Sequence, residues 1–202
     1  MGLTLAMLGD SIAYGQGASR PADTIGARLV TDLVAAGIVA ELLVLARPRA
    51  RSSDLAGQVD RALAAGADIA VIIVGANDLT GFVPPRVAAA QLAAALAKLR
   101  AAGTRTVVVP APDLSTVAWV PLRLRPLVRA GCAALQRVQI EAAHAAEARV
   151  ADVAGAARRF ASDSSLFSAD RFHPSSAGYA VIAADLIPAV RAAAAEARGS
   201  AA

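Results

Sequence analysis

The sequence predicts an α/β fold in which a parallel sheet is covered by helices on both faces. Short apolar or β-branched runs alternate with longer segments of helical period along the whole chain. The run Ile69-Ala70-Val71-Ile72-Ile73-Val74 is apolar without alternation, as a strand must be when both its faces are buried. Gly37, Gly66 and Gly103 each follow a helical segment, where a left-handed residue closes a helix.

Taken in order, the first strand runs from about Leu3 to Leu8 and ends in the turn Gly9-Asp10-Ser11. A helix over Thr24 to Ala36 leads to a second strand, Glu41 to Ala46, and a helix over Ser53 to Ala65 leads to a third, Asp68 to Val74. Pro85 to Ala102 form the next helix, before the strand Thr104 to Val109. Leu127 to Ala148 precede the fifth strand, Arg149 to Val153, and a last helix runs from Ser175 to about Ala197.

A chain of 202 residues, 56% of them apolar, supports one substantial core and not two, so residues 1–202 read as one domain with a frayed tail after Arg198. Alanine supplies much of the apolar fraction. No apolar run reaches the length of a bilayer span by this reading, so no stable membrane insertion is expected. The segment Leu3 to Leu8 has no basic flank and no cleavage site, which gives a cytoplasmic expectation, with a processed leader as the open alternative. Cys132 stands alone, which excludes an internal disulfide and a cysteine-rich metal site. The net charge of +4 raises nucleic acid as a partner, but aromatics are 3% of the chain and no basic block or stacking motif accompanies it, so none is expected. The oligomeric state is not written in the sequence.

In a parallel sheet the loops leaving the strand ends gather on one edge, where ligands bind. Gly9-Asp10-Ser11, Arg47 to Ser53, Gly75-Ala76-Asn77-Asp78, Pro110 to Asp113 and Asp170-Arg171-Phe172-His173 all fall there. Serine acyl transfer needs a nucleophile, a base, a group that orients the base and donors for the developing oxyanion. Ser11 supplies the hydroxyl and a backbone N–H, His173 the base and Asp170 its orienting carboxylate. Asn77 supplies a neutral side-chain donor. The other histidine, His144, lies mid-helix among alanines and reads as a solvated residue.

These residues resemble the SGNH hydrolase superfamily, the GDSL-like esterases and lipases. The resemblance rests on Leu8-Gly9-Asp10-Ser11-Ile12, Val74-Gly75-Ala76-Asn77-Asp78 and Asp170-Arg171-Phe172-His173-Pro174, which together span nearly the whole chain. It implies a flavodoxin-like three-layer α/β/α sandwich with a five-stranded parallel sheet, no metal or cofactor, and an acyl-enzyme on Ser11. One block departs from the family pattern, because Arg49 stands where the family has a glycine whose N–H completes the oxyanion hole. Any residue but proline keeps that donor, whereas arginine is disfavoured at positive φ. The hole is therefore expected to have either three donors or two.

The implied activity is hydrolysis of a small-molecule carboxylic ester. Acyl transfer to a sugar or alcohol with the same residues, and a catalytically weakened acyl- or sugar-binding module, are the alternatives. On the substrate side, Trp119 from the proline-rich segment Pro110 to Pro126 joins Leu79 and Phe82 as candidate walls of an acyl pocket. Asp10, Arg47 and Arg51 are candidate polar contacts, the arginines favouring an anionic substrate.

Overall fold

A computed structural model describes residues 2–199. Its five strands are β1 (Leu3–Gly9), β2 (Ala40–Val44), β3 (Ile69–Ile73), β4 (Arg105–Val109) and β5 (Arg149–Val150). Eight α-helices accompany them among the described residues. They are α1 (Ser11–Tyr14), α2 (Ile25–Ala35), α3 (Leu55–Ala64), α4 (Ala76–Thr80), α5 (Pro85–Ala101), α6 (Arg125–Ala145), α7 (Ala154–Ser162) and α8 (Ser176–Gly199).

All strand pairs are parallel, in the order β2-β1-β3-β4-β5. Successive side chains on a strand face opposite layers, which divides the apolar residues into two cores. Leu5 and Met7 of β1 with Ile69, Val71 and Ile73 of β3 meet Leu29 and Leu33 of α2 and Leu186 and Val190 of α8. Ala6 and Leu8 with Ala70 and Ile72 meet Leu55 and Val59 of α3, Leu92 and Leu96 of α5, and Ala143 of α6. Each leucine or isoleucine so buried contributes about 1.5–3 kcal/mol. This is the flavodoxin-like sandwich that the resemblance implies. Gly37, Gly66 and Gly103 do close their helices, at φ of 78°, 69° and 80°.

Two expectations change. The fifth strand is two residues long rather than five. One further ladder bond follows, from Ala151 N–H to Val108 O. The chain then turns into α7, where Asp152 accepts from the Ala154 N–H. The last helix, at 24 residues, is also long and apolar enough by composition to cross a membrane, contrary to the expected absence of any such run. Its apolar side is already used, since Tyr179, Leu186 and Val190 are buried against the sheet.

The strand order reverses between β1 and β3, and a crevice for ligands forms at such a point, outside the strand C-termini. β1 and β3 approach there without room for a side chain. Gly9 pairs with Ile73 at φ 122°, and a Cβ on it would lie 1.8 Å from the Ile73 carbonyl oxygen. Gly37 is also left-handed, but a Cβ there would meet nothing within 4 Å. Gly9→Ala should therefore abolish cooperative folding or cost more than about 4 kcal/mol, whereas Gly37→Ala should cost about 1 kcal/mol. Urea unfolding of the two variants checks this, and similar midpoints would contradict it.

Candidate active site

Ser11 is the first residue of α1, and its position is set from both sides. The Asp10 N–H donates to Ile73 O at 3.0 Å, holding the turn against β3. Asp10 Oδ1 then accepts from the Ile12 N–H at 3.0 Å, capping the helix. After one turn, left-handed Gly15 returns its N–H to Ser11 O and ends it. The Ser11 side chain is thus presented at a helix start.

His173 reaches it from 162 residues along the chain: its Nε2 lies 3.0 Å from Ser11 Oγ, and its Nδ1 lies 2.6 Å from Asp170 Oδ2. The carboxylate neighbour accepts a hydrogen bond from Nδ1–H and so holds the proton on Nδ1, which leaves the Nε2 lone pair for the serine hydroxyl. Asp170 is itself fixed by three donors on Oδ1, the Ser168 hydroxyl and the Phe172 and His173 N–H groups. Desolvation raises its pKa, but the hydrogen bonds from His173, Phe172 and Ser168 outweigh it and hold the carboxyl far below the usual range. The loop after α1 closes over this turn. Tyr179, buried in α8, anchors that loop by donating to Gln16 O at 2.6 Å.

The loop after β2 is tied to the same place. Arg47 N–H donates to Gly9 O at 3.1 Å, and Asn77 Nδ2 donates to Ala50 O at 3.0 Å. Ser52 adds two donors, its N–H and hydroxyl, to buried Asp78. Asn77 has a second Nδ2 hydrogen, so anchoring the loop leaves one available to an oxyanion. Arg49 adopts φ 67°, the left-handed region that glycine would favour. The expected reluctance of arginine is overcome here, because the bonds on either side of it fix the loop. Among the described residues, no protein acceptor takes the backbone N–H of Ser11 or Arg49.

Residues 7–181 match the GDSL-like lipase/acylhydrolase family. The chain belongs to that family. It is 35% identical over 188 residues to the GDSL-like esterase Rv1075c of Mycobacterium tuberculosis (strain ATCC 25618 / H37Rv), covering 91% of this chain and 60% of that relative. Among solved structures it resembles TesA at 22% identity, with 94% of this chain and 99% of that chain covered and a TM-score of 0.76. A variant of Axe2, an acetyl xylan esterase from Geobacillus stearothermophilus, aligns at 18% identity and TM-score 0.73 over 94% of this chain and 96% of that one. Such distant structures share the fold.

Within this GDSL-like chain, several candidate substrate contacts move. Asp10 is 1% exposed, with Oδ1 on the Ile12 N–H and Oδ2 buried without a hydrogen-bond partner among the described residues, so the structure does not present its carboxylate at the surface as a substrate contact. Arg47 lies 3.9 Å from Asp54. The Arg51 guanidinium lies against Gly81, beside the Asn77 carbonyl. Leu79 packs with Val120 and Phe172 in a small cluster. Phe82 stands 91% exposed at φ 55°, outside that cluster. Trp119 stacks at 5.3 Å on Phe172, which meets the His173 ring edge-on at 4.8 Å. Phe172 is thus an apolar wall that sequence reasoning quoted without assigning.

Two buried glutamines were also missed. Gln58 accepts from the Gly9 N–H and donates to Gly9 O, bracketing the residue before the turn. Gln139 accepts from the Ala111 N–H and donates to Val74 O, joining the ends of β4 and β3. Each occupies an apolar position of its helix, among Leu55, Val59 and Ala62 or between Leu135 and Ala143. That polar interruption was the available signal.

Two expectations follow from this geometry. Because Arg49 already has the glycine conformation, Arg49→Gly should leave kcat on neutral esters within a few-fold and leave stability within about 1 kcal/mol. Arg47→Ala and Arg51→Ala serve as charge controls, and a hundredfold rise in kcat on restoring glycine would mean that the Arg49 N–H is misdirected. Asp10 supplies the second. Burial, followed by the nearby Asp78 charge, raises its pKa from 3.8 to about 7 against the pull of the Ile12 N–H. The folded state therefore binds a proton that the unfolded chain has released, and the associated stability is full below pH 3.8 and lost as pH rises through 7. From pH 4 to 8, wild-type unfolding free energy should fall by up to about 4 kcal/mol more than that of Asp10→Asn. Parallel profiles in urea titrations would remove Asp10 as the source.

Proposed function

We propose that this chain hydrolyses carboxylic esters through an acyl-enzyme on Ser11. The single observation that carries the reading is the continuous hydrogen-bonded line from Ser11 Oγ through His173 to Asp170. Ser11 Oγ attacks the acyl carbonyl as His173 Nε2 takes its proton, and Asp170 stabilises the imidazolium so formed. The Ser11 N–H, the second Asn77 Nδ2 hydrogen and the Arg49 N–H meet the developing oxyanion. Collapse expels the alkoxide, which recovers the proton from His173, and water then releases the acid by the same steps. The esterase name of the curated relative supports this chemistry.

The apolar wall of Leu79, Phe172 and Trp119 beside His173 favours an uncharged acyl group on that side. A mouth carrying Arg47, Arg49 and Arg51 tolerates negative charge on the other part of a small-molecule ester. A module that only bound such a ligand would have no use for an imidazole aligned to a buried serine hydroxyl.

A serine-directed phosphonate should add once, at Ser11. Ser11→Ala and His173→Ala should each lower kcat/KM by at least about 10³, and Asp170→Asn by less, on folded protein. Asn77→Ala should lower kcat by about 10² to 10³ with KM nearly unchanged. Chromogenic esters of graded acyl length, assayed with and without alcohol acceptors, measure these losses and partition hydrolysis from transfer. Full activity in Ser11→Ala would end the proposal.

A further inference from the structure

The segment 119–127 lies beside the site and leaves four large apolar side chains in solvent. Trp119 is 59% exposed, Leu122 76%, Leu124 43% and Leu127 72%. Single exposed leucines are ordinary, but a contiguous set marks a surface that something covers. Pro121 and Pro126 restrain the backbone of the short turn that holds them and of the first turn of α6.

The charge carried by this stretch of the chain is of one sign. From Leu114 to Ile140 there is no aspartate or glutamate, while Arg123, Arg125, Arg129 and Arg137 all fall in that stretch. Arg129 reaches Asp113 at 3.5 Å, and Arg125 donates to Val120 O. Arg123, between the two exposed leucines 122 and 124, has no ion pair among the described residues.

From this arrangement we propose that residues 119–127 dock the protein on an anionic lipid surface. Apolar side chains enter the boundary between headgroups and acyl chains, while interleaved arginines stay with the phosphates; a tryptophan is suited to that boundary. A second copy of the chain is a poorer occupant, because an isologous contact through this strip sets arginine against arginine. The strip is continuous with the site, since Trp119 contacts Phe172 and Phe172 contacts His173. An ester drawn from the lipid surface would enter beside the imidazole. Docking is peripheral and does not depend on the ester-hydrolysis reading.

Vesicle sedimentation tests it. The full chain should sediment with vesicles of phosphatidylcholine mixed with phosphatidylglycerol, not with phosphatidylcholine alone, and binding should weaken as salt is raised. The double variant Leu122→Ser/Leu127→Ser should bind at least tenfold more weakly and Arg123→Gln about fivefold more weakly. Both should hydrolyse a soluble short-chain ester like the wild type, which also shows that they fold. Ser11→Ala should sediment normally, so failure of the ester reading leaves this result untouched. Equal binding to neutral vesicles, no binding to anionic ones at low salt, or undiminished binding by the variants would overturn the proposal. So would a dimer that the double leucine variant abolishes, which would assign the face to a second copy.

Discussion

The arrangement at the active edge depends on the contact between β1 and β3 at Gly9. The Gly9 backbone passes so close to the Ile73 carbonyl that no Cβ can intervene, and its own polar groups make three hydrogen bonds to two neighbours. Its N–H and C=O are bracketed by Gln58 from α3, and the same C=O accepts from the Arg47 N–H. The next residue donates to Ile73 O. The serine turn, the Arg49 loop and the end of β3 are therefore referred to one backbone position. The two Gln58 bonds are buried, so losing that partner would cost the desolvation of the Gly9 groups left behind, about 1–3 kcal/mol. Two loops that would otherwise move independently are held to one another through that residue.

This tethering explains how arginine occupies a position suited to glycine. A non-glycine residue in the left-handed region costs roughly 1–2 kcal/mol. The segment 47–52 is held at Arg47 by Gly9, at Ala50 by Asn77 and at Ser52 by buried Asp78, and these three anchors together outweigh that cost. The N–H of residue 49 is then directed by the loop rather than by the identity of its side chain. Arginine places a charge at the mouth while keeping the donor, which glycine cannot do.

The legibility of the chain followed from what each feature depends on. The strands and the helices that cover them could be read because they rest on local periodicity: the unbroken apolar run at 69–74 contains β3, and the glycines at 37, 66 and 103 do end helices. Ser11, Asn77, Asp170 and His173 were legible as a set because each sits at a strand end or in the one late histidine-bearing loop. The extent of β5 was not, since an edge strand of two residues has too little pattern to separate it from the turn into α7. Asp10 was misread because a carboxylate in a turn looks the same in sequence whether it faces solvent or caps its own helix. Gln58 and Gln139 act across 49 and 65 residues, and no local window contains their partners.

Asp10 shows why burial and function must be separated at such a site. It is a deeply buried acid adjacent in sequence to Ser11, a position that would suit a general base. Its Oδ1, however, is committed to the Ile12 N–H, and no bond joins it to Ser11 Oγ, whereas His173 Nε2 lies 3.0 Å from that oxygen. In the proposed mechanism the base is therefore His173 rather than Asp10. The cost of burying Asp10 is better understood as structural: its Oδ1 accepts from the Ile12 N–H at the start of α1, while its Oδ2 is buried without a hydrogen-bond partner among the described residues. That short helix begins with Ser11. One buried carboxyl thus holds the turn that presents Ser11, and because its burial favours the protonated form, the same group weakens the fold as pH rises.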